Sequence, residues 1–239
     1  MMNGKVNNNK YDRNVFRKRH VEEYVSLFYP ELKKRLKDCD VLDLGCARGV
    51  LSIPLAPYVR KVKGIDIRGH CIEVAKKIAK EQKIKNVDFK IQSIFDLDSK
   101  RKYDIILLSD VLEHVKNQKQ LLEKSLNLLR HEGILYINTP NKWFPIEAHR
   151  HLIFLGYLPS DMANRYSQKI LNKDYKNFYL LSYSEFLNLL NSFRVKYHFK
   201  TFPHPTRVLY KAGKPFVDGL PFLWRFANAF QVIVQKGNN

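Results

Sequence analysis

The chain of 239 residues is poor in what several protein classes require. Three cysteines, Cys39, Cys46 and Cys71, are odd in number and form no C-x-x-C pair, which excludes a disulfide framework and a zinc knuckle and leaves them as small buried residues. Apolar runs such as Ile105–Leu108 and Ile134–Ile137 fall far short of the ~20 residues of a membrane-spanning helix. The first twenty residues carry six Lys and Arg but no apolar stretch of a secretion signal, so a cytoplasmic location is expected. Acidic residues are scarce, 23 against 42 Lys and Arg, and the resulting +19 favours anionic partners: nucleic acid, phosphorylated molecules or an acidic membrane surface. The excess is spread along the chain, which is weaker evidence for a nucleic-acid track than a basic stripe would be.

What is present is a change of rhythm. Residues 13–37 place Val15, Val21, Tyr24, Val25, Phe28, Leu32 and Leu36 at helical spacing and predict an amphipathic helix broken near Pro30. From Val41 the pattern alternates: strand 40–44, helix 49–59, strand 62–66, helix 70–82, strand 87–91, strand 103–108, helix 117–130, strand 133–138. Such alternation means βαβ units and a parallel sheet with helices on both faces. After Pro140 the rhythm fails for about forty residues, a length typical of lids and binding segments. Helix 183–191, strand 194–201 and a last strand near 228–235 complete the sheet. Twenty of the thirty aromatic residues lie in 141–239, so an apolar acceptor is expected on that side. Four segments follow: an N-terminal helical segment (1–38), a ligand-binding core (39–141), a substrate cap (142–182) and a C-terminal completion of the sheet (183–239).

The most informative stretch runs from Val41 to Gly49, VLDLGCARG, an apolar strand entering a glycine turn ahead of a helix. Backbone amides and the positive helix end can face a ligand there. A dinucleotide fingerprint from Gly45 needs glycine at 47 and 50, where Ala47 and Val50 stand. Asp43 would also repel a pyrophosphate, whereas it would attract an ammonium group. Asp66, 23 residues on at the tip of the second strand, can take both ribose hydroxyls. Together these residues suit a nucleoside bearing an amino acid.

Here the sequence resembles the class I S-adenosylmethionine-dependent methyltransferases, from about Val41 to Asn141 and at the last strand. The resemblance implies a Rossmann-like, seven-stranded, mostly parallel sheet with helices on both faces and a cap inserted after strand five. Asp43, Gly45, Ala47 and Gly49 stand in the family's D-x-G-x-G-x-G loop, with Ala47 replacing the middle glycine and Cys46 between. It further implies that Asp66 holds the ribose of S-adenosylmethionine, that Ile67 packs on adenine, and that Ser93, Ile94 and Ser109 complete the cofactor site, Ser93 replacing an Asp that usually accepts from the adenine amine. The segments YDIILLSDVLEHV (103–115) and LRHEGILYINTPN (129–141) also follow the family pattern.

Methyl transfer from a sulfonium is an in-line displacement, so positioning outranks acid–base help, although a hydroxyl nucleophile still needs a base. His114 after strand four and His149 and His151 in the cap are the catalytic candidates. Asp110, Glu113, His114 and His149 also resemble the metal site of small-RNA 2′-O-methyltransferases, although packing is the plainer account of Glu113 and His114, and no metal is expected. The expected activity is methyl transfer to a small-molecule or lipid-linked acceptor at oxygen, with peripheral contact to an anionic membrane as a possible setting. An RNA methyltransferase and a non-catalytic binding module on the same fold are the alternatives.

Overall fold

The computed structural model describes residue 32, residues 35–200 and residues 227–236. The predicted helix over 13–37 lies outside these except at its end, where Leu36–Asp38 form a 3-10 turn, and Phe222, Trp224 and Phe226, three of the C-terminal aromatic residues, also lie outside. Seven strands form one sheet: β1 (Asp40–Leu44), β2 (Lys61–Asp66), β3 (Val87–Ile91), β4 (Tyr103–Ser109), β5 (Leu129–Pro140), β6 (Val195–Lys200) and β7 (Ala229–Lys236). Their order is β3-β2-β1-β4-β5-β7-β6. The first five are mutually parallel, and β7 runs antiparallel between β5 and β6. The sheet is therefore the Rossmann-like, mostly parallel one expected from the alternation.

Alternate residues of the central strands build two separate cores. Leu42, Leu44, Ile106, Leu108, Leu135 and Ile137 pack on one face against Leu121 and Leu122 of α3 (Gln118–Leu128) and Phe186 and Leu190 of α5 (Tyr183–Asn191). Val41, Val62, Ile105, Leu107, Ile134 and Tyr136 face the other way, against Leu55 of α1 (Ser52–Leu55). This period of two with both faces buried is why the strands read as continuous apolar runs. On the same layer as α1, Ile72, Ala75 and Ala79 of α2 (Gly69–Glu81) cover Phe89 of β3.

The structure corrects three element boundaries. The helix expected over 49–59 is one turn of α-helix, Ser52–Leu55, followed by a 3-10 turn, Ala56–Tyr58, because Pro57 has no N–H to continue the ladder. The helix expected to reach residue 130 stops at Leu128, where Leu129 pairs with Tyr103 and Arg130 turns back to Asp104 and to Asp40 at 3.1 Å. The stretch after Pro140 contains α4 (Ser160–Leu171) and a 3-10 turn, Leu155–Tyr157. Its buried positions are the small residues Ala163 and Ser167, while Met162, Ile170 and Leu171, at helical spacing with them, stay exposed. No helix among the described residues is long and apolar enough to cross a membrane.

Candidate functional site

The carboxyl ends of β1, β2 and β4 open onto one cavity of about 840 Å³, within the range of cofactor clefts. The parallel sheet dictates this place, since its strands deliver their following loops to the same edge. The turn after β1 forms the floor. Gly45 has φ +68°, and a Cβ there would meet Val111 Cγ2 at 2.5 Å, so only glycine fits. Ala47 takes φ +48° without being glycine, and its N–H donates to Asp66 Oδ2 at 2.9 Å. Gly49, at φ +72°, closes the turn by donating to Cys46 O at 2.8 Å.

Two carboxylates shape the field of the cavity. Asp43 is 3% exposed and accepts from Ser52 Oγ at 2.5 Å. Burial pushes its pKa up to about 7, against which the Ser52 bonds act only partly. A buried carboxylate in that state gains from a cationic ligand group, and an amino-acid ammonium is one. Burial also acts on Asp66, but the Arg68 guanidinium and the amides of Arg68 and Ala47 outweigh it and hold the group below the usual carboxylate range. The far end is apolar and open: Ile67 is 74% exposed, with Ile94 and Phe95 beside it. An apolar shelf left bare at a cleft mouth fits a planar base.

Of the ten residues expected at the cofactor, nine line the cavity: Asp43, Gly45, Cys46, Ala47, Asp66, Ile67, Ser93, Ile94 and Ser109. Gly49 supports the turn from behind, against Ile53 and Phe89. Ser93 Oγ accepts from Phe95 N at 3.2 Å, so it caps a 3-10 turn as well as facing the cavity. A turn with no room for a Cβ, two acids and an apolar shelf on one cavity are features that suit a nucleoside carrying an amino acid.

The opposite wall comes from the loop after β4. Asp110, at φ +54°, is held by Asn138 Nδ2 at 2.8 Å, and the surrounding cleft together with the charge of Glu113 pushes its pKa up to about 6. Glu113 is fully buried. Its Oε2 accepts from Thr139 Oγ1 at 3.1 Å, while Oε1 makes no hydrogen bond and faces His149 Nε2 at 3.7 Å and His114 Nε2 at 3.9 Å. His149 meets Glu147 through Nδ1 at 2.7 Å, and Glu147 is itself fixed by the backbone N–H groups of His149 and Arg150. Burial disfavours charge on His149, yet the two flanking carboxylates overcome it and push the pKa up to about 9. His114 moves the other way: burial, helped by the nearby His149 and Arg68 charges, lowers its pKa despite Glu113. The two histidines lie edge to face at 5.1 Å and share Phe178, whose ring is 5.3 Å from His114 and 4.2 Å from His149.

The catalytic expectations thus separate. His114 lines the cavity with its pKa lowered by burial, whereas His149, between two carboxylates, has its pKa pushed up to about 9. His151, exposed at φ +55°, donates its N–H to Glu147 O at 2.8 Å and does not join them. Donor atoms of Glu113, His114 and His149 lie within 4.8 Å of one another and could hold a divalent ion; Asp110 is outside that group. Sequence reasoning missed Arg68, Glu147 and Phe178. Arg68 follows Asp66 by two residues and was readable as its partner, but nothing local ties Glu147 or Phe178 to Glu113.

Fold and cleft define a class I S-adenosylmethionine-dependent methyltransferase. The family described as "Methyltransferase domain" matches residues 35–178, and the chain belongs to that family. It is 34% identical over 171 residues to a ubiquinone biosynthesis O-methyltransferase of Pelagibacter ubique, covering 63% of this chain and 70% of that one. A protein of the same name from Coxiella burnetii is 35% identical over 127 residues, 52% of this chain and 53% of the relative, so the chain spans only about half of that relative. Among solved structures, magnesium protoporphyrin IX methyltransferase from Synechocystis with bound S-adenosylmethionine superposes with a TM-score of 0.61 at 18% identity, covering 99% of this chain and 87% of the other.

Proposed function

We propose that the chain methylates a hydroxyl oxygen of a small apolar acceptor, with His114 as the base. The observation that carries this is a histidine on the wall of the cavity that Asp43 and Asp66 floor, set against the ring of Phe178 at 5.3 Å, with its pKa lowered by burial. The names of the two relatives, both O-methyltransferases of ubiquinone biosynthesis, support a small-molecule acceptor over RNA or a non-catalytic module.

When bound, S-adenosylmethionine supplies a methyl group on a positively charged sulfur. Asp43 would hold the ammonium end, Asp66 the ribose and Ile67 the base, fixing the reactive end toward His114. His114 receives the acceptor's proton as the acceptor oxygen takes up the methyl group, with Glu113 Oε1 3.9 Å and the His149 ring 5.1 Å from its imidazole. Tyr175, stacked on Phe178 at 4.9 Å, extends an aromatic wall suited to an acceptor ring.

The orphaned Glu113 Oε1 favours a second reading, in which a divalent ion among Glu113, His114 and His149 polarises the hydroxyl. One experiment separates them. His114→Gln should lower kcat with a catechol acceptor by about 10²–10⁴-fold while S-adenosylhomocysteine affinity is kept, with wild-type turnover unchanged in chelator. Loss of turnover in chelator, restored by metal, selects the second reading, and full activity of His114→Gln rejects both.

Residues that would bring the protein to an anionic lipid surface lie on the cap side. Ile146, Ile153, Phe154 and Tyr157 are 48%, 57%, 56% and 43% exposed, and the Lys142 ammonium sits over the ring of Trp143 at 5.1 Å. Phe154 is held outward from a left-handed φ of +57°, a conformation that costs about 1 kcal/mol in a bulky residue.

A further inference from the structure

The carboxylate assigned to the ribose is already fully used. Asp66 Oδ1 accepts from the backbone N of Arg68 at 2.8 Å and from its Nε at 3.0 Å; Oδ2 accepts from Ala47 N at 2.9 Å and from Arg68 Nη2 at 3.0 Å. An ionised carboxylate offers about four acceptor positions, so none is left for an incoming donor. A ribose diol brings two.

The four bonds differ in how they can be released. The amides of Ala47 and Arg68 belong to the backbone of the turn after β1 and of the residue just before α2, and they cannot leave without moving the chain itself. The other two come from one side chain, 54% exposed, on a residue whose backbone is extended and lies just outside the helix. Arg68 can rotate into solvent while the backbone bonds stay. Its fork occupies the cavity side of Asp66, and it lines the same cleft as Ile67 and Ser93.

We propose that Arg68 is an internal stopper: its guanidinium holds the place of the ribose diol on Asp66, swings out when the nucleoside of the cofactor enters, and thereby limits cofactor affinity. The inference rests on Asp66 being the ribose-binding residue. The stopper has a physical use. Asp66 is 4% exposed, and a buried carboxylate with two of its four acceptor positions bare would be costlier to keep ionised. The planar two-pronged guanidinium keeps it charged and correctly turned in the interval between product leaving and cofactor arriving. The cost is competition at the moment of binding.

Calorimetric titration of S-adenosylhomocysteine into the full chain tests this with three variants. Arg68→Ala is expected to bind about two- to tenfold tighter than the wild type, the range set by loss of one half-exposed bidentate pair. Arg68→Lys, which keeps the charge but not the fork, falls between. Added salt screens the pair, so the advantage of Arg68→Ala over the wild type narrows as ionic strength rises. Asp66→Ala binds more weakly than all of these. Arg68→Ala binding equally or more weakly, with Asp66→Ala still impaired, overturns the stopper and makes Arg68 a support of the site. Asp66→Ala with unchanged affinity instead removes the ribose assignment itself, and the stopper with it.

Discussion

Replacing Asp43 by Asn should make the protein more stable and worse at its task. In the folded state the Asp43 pKa is raised from 3.8 to about 7, chiefly by burial. A group whose folded pKa exceeds its unfolded one contributes fully below the unfolded value and loses that contribution as pH rises to the folded value. Stability therefore falls between pH 3.8 and about 7 by the difference of about 3 units, each about 1.4 kcal/mol, or about 4 kcal/mol in all. Asn mimics the protonated acid, since it can still meet Ser52 Oγ, and it carries no such slope. Urea unfolding at about pH 5 and pH 8 reads this directly: wild type should lose about 3 kcal/mol more than Asp43→Asn across that interval. At the alkaline end the variant should melt about 5–15 °C higher. Affinity for S-adenosylhomocysteine should fall about ten- to a hundredfold because the ammonium loses its counter-charge. Parallel pH profiles for the two proteins, or an Asp43→Asn protein that binds as well as wild type, would refute the claim that this carboxylate is kept strained for its ligand.

Two further outcomes are expected. Ala47→Gly relieves the left-handed strain at φ +48° and should stabilise by about 0.5–1 kcal/mol with cofactor binding retained; destabilisation would mean that the alanine methyl packs usefully. The protein should sediment with vesicles rich in anionic lipid and not with zwitterionic ones, and the double change Ile153→Ser, Phe154→Ser should reduce that binding about tenfold or more. Equal sedimentation of the variant and the wild type would count against the cap as the contact surface.

Much of the cofactor half was legible because its signals are local. Strand, turn, glycine and acid follow one another in a few residues at Val41–Gly49, and steric need at Gly45 writes itself directly into residue choice. The acceptor half was not, because its geometry is assembled from a distance. His149 reaches Glu113 from 36 positions away, and Glu147 and Phe178 join the group through His149, meetings that no periodicity announces. α4 was readable, since Met162, Ala163, Tyr166, Ile170 and Leu171 recur at helical spacing, but the failure of the strand–helix rhythm after Pro140 drew the whole stretch into a loop. The separation of roles between His114 and His149 was likewise hidden, since it depends on which histidine two carboxylates enclose.

Glu113 and His114 are neighbours in sequence with different allegiances. Glu113 accepts the Tyr179 N–H at 2.7 Å through its carbonyl and faces His149 through its carboxylate, so it moors the cap, while His114 faces the cleft. On the acceptor wall proposed above, Tyr175 is the ring to diversify, because Phe178 also packs on His114 and His149 at 5.3 and 4.2 Å. A change at position 113 would instead disturb the Tyr179 backbone and the His149 side chain together.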